Sequence, residues 1–194
     1  MRRMLLLIVL AALACPAAAS DKFIVHDDQP MDAARRPAAG SALIYFVRTQ
    51  KMGSAVKFKL YGNGRFLGLV QSQTFLPVEV KAGRYEFVTA AENAGFLNAE
   101  VSAGRIYVVQ VSVHMGAMKA RTHFEVVRPG SEAMQEFLKN EERLRAVTTT
   151  DEGLNWVKED DADIQETIQK YRQKGNEIET LKPEDGFTSP PWAK

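Results

Sequence analysis

The chain predicts a mainly β fold: an antiparallel β-sandwich of about eight strands with a C-terminal helical extension. Three observations carry this expectation. Between residues 41 and 128, short runs rich in β-branched and aromatic residues recur at roughly ten-residue spacing, separated by Gly and Asn turn signals. No helical periodicity interrupts them, which disfavours a βαβ arrangement. After Pro129-Gly130 the apolar residues fall instead at helical spacing.

The strands follow in order. Residues 41–48 (S-A-L-I-Y-F-V-R) are apolar on both faces, as a central strand requires. Residues 54–61 alternate Val56, Phe58 and Leu60 against Lys57 and Lys59, giving one buried and one wet face. Gly62-Asn63-Gly64 makes a tight turn, because Gly and Asn tolerate positive φ, and residues 65–70 return. Residues 74–80 alternate Leu76, Val78 and Val80, but Pro77 lacks an N–H, so an edge strand or an irregular start is expected. Ala82-Gly83-Arg84-Tyr85 and Ala103-Gly104-Arg105-Ile106-Tyr107 repeat one layout, a glycine turn ahead of an aromatic-bearing strand. Strands are expected over 85–91, 96–101, 105–114 and 122–128, the last with Phe124 and Val126 on one face.

The C-terminal zone, 131–180, reads as helices. Ser131 is placed to cap the first, with Met134, Phe137 and Leu138 on one face. A second starts near Thr149, with Glu152 completing a capping box and Leu154 and Val157 on its apolar side. A third runs over about 161–174. Acids crowd its start, bases crowd its end and Gly175 follows, the charge order favoured by the helix dipole. Its stripe is thin: Ile164, Ile168 and Tyr171. Residues 181–194 read as an extended tail containing Trp192, and residues 21–40 as a polar, poorly ordered leader.

Residues 1–20 read as a secretory signal peptide. Arg2 and Arg3 precede an unbroken apolar run over 5–14, and Ala17-Ala18-Ala19 offers the small residues of a cleavage site. Ten apolar residues are too few to span a bilayer, which takes ~20. The expected location is therefore exported, periplasmic or in the cell envelope. The single cysteine, Cys15, lies in this segment, so cleavage after Ala19 leaves no thiol and excludes thiol catalysis and cysteine–zinc sites. The alternative is lipidation of Cys15 as the N-terminus of a lipoprotein, and membrane contact is expected only in that form. Arg2 and Arg3 account for two of 25 basic residues, leaving 23 against 24 acidic ones. With no basic stripe, nucleic acid is not an expected partner.

Catalytic motifs are sparse. The chain has no G-x-S-x-G, and Gly62-x-Gly64 lacks the third glycine of a dinucleotide site. His26 lies in the leader. His114 and His123 flank an expected turn at 115–119. If His114 faces Ala120, the two histidines point to opposite faces; if the register slips by one, His123 faces Ser112 and they share a face two positions apart. Neither register makes a metal site without further ligands. The acids from Glu159 to Asp163 lack the glycine and glutamate spacing of a calcium loop and fit a helix start. Glu79 and Glu86 are the carboxylates considered for glycoside cleavage. No metal and no cofactor is expected.

The β zone resembles an uncharacterised bacterial envelope family, domain of unknown function 2846 type. The resemblance rests on Ala42-Leu43-Ile44-Tyr45-Phe46-Val47-Arg48, Tyr61-Gly62-Asn63-Gly64-Arg65-Phe66-Leu67-Gly68 and Val78-Glu79-Val80-Lys81-Ala82-Gly83-Arg84-Tyr85, and on residues 101–108. The strand–turn–strand layout is also similar to PEGA-type surface modules. The resemblance covers about 41–128 and implies a small exported β-sandwich protein or lipoprotein, with no catalytic residue to carry over. Tyr61, Tyr85, Phe96 and Trp192 sit at element ends or in turns, where aromatic rings stack on sugars or seat a partner. The expectation is thus a non-enzymatic module that binds another envelope protein. A glycan or peptidoglycan-binding module is the alternative, and an envelope carbohydrate-active enzyme a weaker one.

Overall fold

The computed structural model of the chain describes residues 21–115, 120–175 and 177–193. The expected signal peptide with Cys15, and the tip of the 115–119 turn, lie outside these residues.

The fold is mainly β and holds eleven strands among the described residues. They are β1 (Ile24–Asp27), β2 (Ser41–Arg48), β3 (Phe58–Gly62), β4 (Arg65–Val70), β5 (Thr74–Lys81), β6 (Gly83–Ala90), β7 (Ala94–Val101), β8 (Ile106–Met115), β9 (Ala120–Val126), β10 (Arg145–Thr149) and β11 (Ile178–Leu181). Three helices follow or interleave: α1 (Glu132–Asn140), α2 (Asp151–Glu159) and α3 (Asp161–Gln173). The first sheet runs β1-β10-β5-β2-β8-β9 and the second β11-β7-β6-β3-β4.

Two features correct the expectation of about eight antiparallel strands. Both sheets are mixed: β2 runs parallel to β8, β10 to β5, and β11 to β7. β2 and β8 lie far apart in sequence and pair in parallel, a return that alternation of side chains does not encode. The extra strands come from segments outside 41–128. β1 in the leader pairs antiparallel with β10, while β10 and β11 enter the two sheets from the helical zone.

Apolar side chains of both sheets meet in one core. Ile44, Phe46, Val109 and Phe124 from the first sheet pack with Leu60, Phe87 and Leu97 from the second. The Phe46 and Phe87 rings lie 5.0 Å apart. Each sheet is also covered outside. Leu43, Tyr45 and Val47 of β2 pack against Phe137 of α1, Trp192 of the tail and Met31 of the leader, so all eight residues of β2 are buried. Ile164 and Ile168 of α3 lie on Val88 and Phe96 of the second sheet. Burying each such side chain contributes about 1.5–3 kcal/mol.

Several local expectations hold in detail. Asn63 (φ 48°) and Gly64 (φ 75°) take the left-handed conformation that turns β3 into β4. β5 is an interior strand only at Thr74 and Phe75, where β10 pairs with it; the ladder ends two residues before Pro77, leaving an open side where its missing N–H is harmless. Ser131 caps α1 by accepting from the Met134 N–H at 3.1 Å. Other expectations shift. The α2 cap is Thr150, because Thr149 belongs to β10 and its hydroxyl accepts from Leu69 N–H. Leu138 and Leu154 point to solvent, since one apolar row per helix suffices to dock it. Lys59, expected on a wet face, is buried beneath the α2–α3 corner. Among the described residues no helix is long and apolar enough to cross a membrane.

Candidate functional site

The four aromatic residues read from the sequence end in different places. Tyr61, Phe96 and Trp192 are buried, so they do not form an exposed rim. Tyr61 stands edge-on to Phe66 under α3, and burial, with smaller contributions from Asp161 and Asp160, pushes its phenol up to about 12. Phe96 lies beneath α3, with the Arg172 guanidinium 5.4 Å from its ring centre. Trp192 meets Tyr45 edge-on at 4.8 Å on the outer face of the first sheet. The apolar stripes of the helices are likewise covered by the chain's own sheets through Phe137, Val157, Ile164 and Ile168.

Tyr85 alone of the four stays half-exposed, and it lines a groove of about 630 Å³ at one end of the second sheet. The register explains the lining. Glu86 of β6, Asn98 of β7 and Thr180 of β11 stand side by side across three adjacent strands, and Arg84 faces Glu100 one pleat further on. Tyr85 belongs to the opposite-facing row with Ala99 and Leu181, at the margin of the core. Lys182 and Glu184 close the groove after β11. The Tyr85 ring stacks on Phe87 at 5.8 Å, and its hydroxyl donates to the Lys81 carbonyl at 2.9 Å, so its position is set from both ends.

Charges in the groove are mixed and close to the surface. Arg84 Nε meets Glu100 Oε2 at 3.3 Å. Glu86 accepts both Nη atoms of Arg172, at 3.2 and 2.7 Å, which pins the end of α3 beside the groove. The Asn63 side-chain carbonyl accepts from Glu86 N–H at 2.9 Å, anchoring the β3–β4 turn as one wall. Amide, guanidinium, ammonium and carboxylate groups therefore share the outer face of the second sheet, while the Tyr85 ring turns to the other face, at the margin of the core. Such a wall suits a ligand that both donates and accepts hydrogen bonds.

A second concavity of about 410 Å³ contains Phe23, Trp156, Lys59 and Asp160. Its aromatic surface is already occupied: Phe23 lies 4.9 Å from Trp156, and the Lys59 ammonium 4.1 Å from the same ring centre. Asp160, the second residue of the acidic run from Glu159 to Asp163, ion-pairs with Lys59. Glu79 and Glu86 stand in different sheets, the former accepting from Ala38 N–H. His123 pairs in register with Ser112 and His114 with Arg121, the second of the two registers weighed from the sequence.

No family model matches this chain, and no curated protein matches it.

Proposed function

We propose that the protein is a non-enzymatic, exported module of the cell envelope, a two-sheet β-sandwich that binds wall glycan in the groove lined by Arg84 and Asn98. The observation that carries this reading is the groove lining. Arg84, Asn98, Glu100 and Lys182 supply donors and acceptors along one face of the second sheet. Sugars offer hydroxyls that both donate and accept, which matches this mixed lining. Export rests on the signal-like residues 1–20, and the resemblance of 41–128 to an envelope family agrees with that compartment. In this reading residues 21–194 act as one module, because β1, β10 and β11 enter the sheets from outside 41–128.

Sedimentation with isolated cell wall tests the proposal. Wild-type protein is expected in the pellet, with Arg84→Ala and Asn98→Ala each shifting most of it to the supernatant. Wild-type protein that stays in the supernatant overturns the glycan reading.

Binding of another envelope protein is the second reading, favoured by one observation. β1 is an edge strand, and its Val25 is 58 % exposed on a row of otherwise exposed residues. An open edge with a projecting apolar side chain accepts an added strand from a partner. Mild crosslinking in intact cells would then recover one dominant envelope protein from wild type and not from Val25→Lys.

A further inference from the structure

The other end of β2 holds a different feature. Tyr85 bonds to Lys81, which pairs with Ser41 at the start of β2, whereas Arg48 is the last residue of that strand. The groove and Arg48 are therefore at opposite ends of the two-sheet core, and the observations below are independent of the glycan reading.

Arg48 is fully buried between the sheets. Its guanidinium donates to three backbone carbonyls of the 49–57 loop: Val56 at 2.9 Å, Met52 at 2.6 Å and Gly53 at 2.9 Å. The Phe58 ring lies 4.8 Å from its Cζ. Carbonyl dipoles and a ring face soften the burial of a cation, but they carry no net negative charge. No carboxylate among the described residues forms an ion pair with Arg48, and its Nε–H has no hydrogen-bond partner. Desolvation pushes its pKa down to about 10, the mark of a charge lacking its counter-ion.

Beside this guanidinium lies a cavity of about 170 Å³, lined by Arg48, Met52, Phe58, Asn93, Val113 and Thr122. Thr122 is buried too, and its hydroxyl likewise has no hydrogen-bond partner. Glu92 stands exposed at the mouth without pairing to Arg48. The Arg48 and Thr122 side chains thus stand in the wall of one small, otherwise largely apolar chamber, each with an unsatisfied polar atom just beneath its surface. An unmade hydrogen bond at a buried group is costly, and native folds leave few of them.

We propose that this cavity is a binding site for a small monocarboxylate with an apolar body. A small shift of the two side chains toward the chamber lets the carboxylate accept from the Arg48 Nε–H and from the Thr122 hydroxyl, giving the buried cation its counter-ion. The body fills the space bounded by Phe58, Val113 and Met52. Size limits the ligand: a chamber of roughly 150 Å³ holds benzene, so a carboxylate of roughly six to eight carbons fits. Inorganic anions satisfy the charge and leave the apolar wall uncovered. Neutral alcohols of the same length do the reverse.

Titration of the full chain with hexanoate and benzoate, followed by calorimetry and by the Arg48 Nε–H resonance, tests the proposal. One of the two acids is expected to bind at least about tenfold more tightly than 1-hexanol and than sulfate, and to shift that resonance. Thr122→Val, which leaves the Arg48 loop contacts intact, is expected to weaken binding severalfold. Val113→Phe, which fills the chamber, is expected to abolish it at an unchanged circular dichroism spectrum. The proposal is overturned if neither acid binds up to about 10 mM, if 1-hexanol or sulfate binds equally well, or if correctly folded Val113→Phe binds as wild type does. Wall sedimentation is unaffected in either event, so the two proposals fail separately.

Discussion

The Lys59 ammonium lies 4.1 Å from the centre of the Trp156 ring and ion-pairs with Asp160. Lys59 belongs to β3 of the second sheet, and its partners belong to α2 and the α2–α3 corner, so the contact fastens the helical segment to the sheet. The pair is asymmetric, with Lys59 2 % exposed and Asp160 36 %. Removing the carboxylate strands a buried cation, whereas removing the cation leaves a carboxylate that water can reach. Asp160→Asn is therefore expected to destabilise by about 2–3 kcal/mol, and Lys59→Met, which keeps the stem and its packing, by about 1 kcal/mol or less. Urea unfolding of the two variants checks the order.

Gly153 is the third residue of α2, within its first turn, where alanine ordinarily gains about 1 kcal/mol over glycine. Here a Cβ would run into the carbonyl oxygen of Phe23 and come within 2.8 Å of Thr149 Cγ2. The Phe23 carbonyl is held in place, accepting from Thr150 N–H at 3.0 Å, while the Thr150 hydroxyl donates to Lys22 O at 2.6 Å. The clash is with backbone, which cannot rotate away. Gly153→Ala is expected to cost about 1–3 kcal/mol and to raise amide exchange in β1 before any other strand.

What the sequence discloses here is local. β2 reads as central from eight residues, the Gly62-Asn63-Gly64 turn from three, and α3 from the charges at its ends, because each signal lies within the element itself. β1 and β10 are four and five residues long and pair mainly with one another, so neither carries a period that a window detects. Lys59 follows the alternation of a wet face correctly in register, but a helix corner a hundred residues later covers that face. The same limit applies to the sites. Tyr85 is legible because a glycine turn precedes it, while an arginine closing an apolar strand is ordinary. The feature that sets Arg48 apart, burial without an ion pair, exists only once β8, β9 and the β6–β7 turn surround it.

Trp192 shows how far the terminal segment belongs to the core. Its ring meets Tyr45 at 4.8 Å and Phe137 at 5.9 Å, closing the outer face of the first sheet together with α1. Trp192→Ala is expected to cost about 3–5 kcal/mol, which for a chain of this size lowers Tm by about 10 °C. The indole N–H has no hydrogen-bond partner, so Trp192→Phe forfeits packing alone and is expected to lose less than half as much. Equal losses from both variants would assign the effect to something other than the volume of the ring.

Tyr61 gives the alkaline limb of stability a specific origin. Its side chain is buried under α3, its hydroxyl has no hydrogen-bond partner, and burial raises its pKa to about 12 from an unfolded value near 10. The folded state therefore keeps the proton after the unfolded state has released it. The unfolded chain then binds fewer protons, so stability falls as pH rises. The contribution is complete below pH ~10 and is lost between about pH 10 and pH 12, amounting to about 2–3 kcal/mol at the upper end. Tyr61→Phe removes a hydroxyl that makes no bond, so it is expected to be neutral or slightly stabilising at pH 7. Relative to wild type it should gain stability steadily from pH 10 upward. Burial also raises the pKa of Tyr45 and Tyr107 and lowers that of Arg48, so the difference between variant and wild type isolates Tyr61. Denaturant melts at pH 7, 10 and 11.5 supply the measurement, and parallel curves for the two proteins would place the alkaline loss elsewhere in the core.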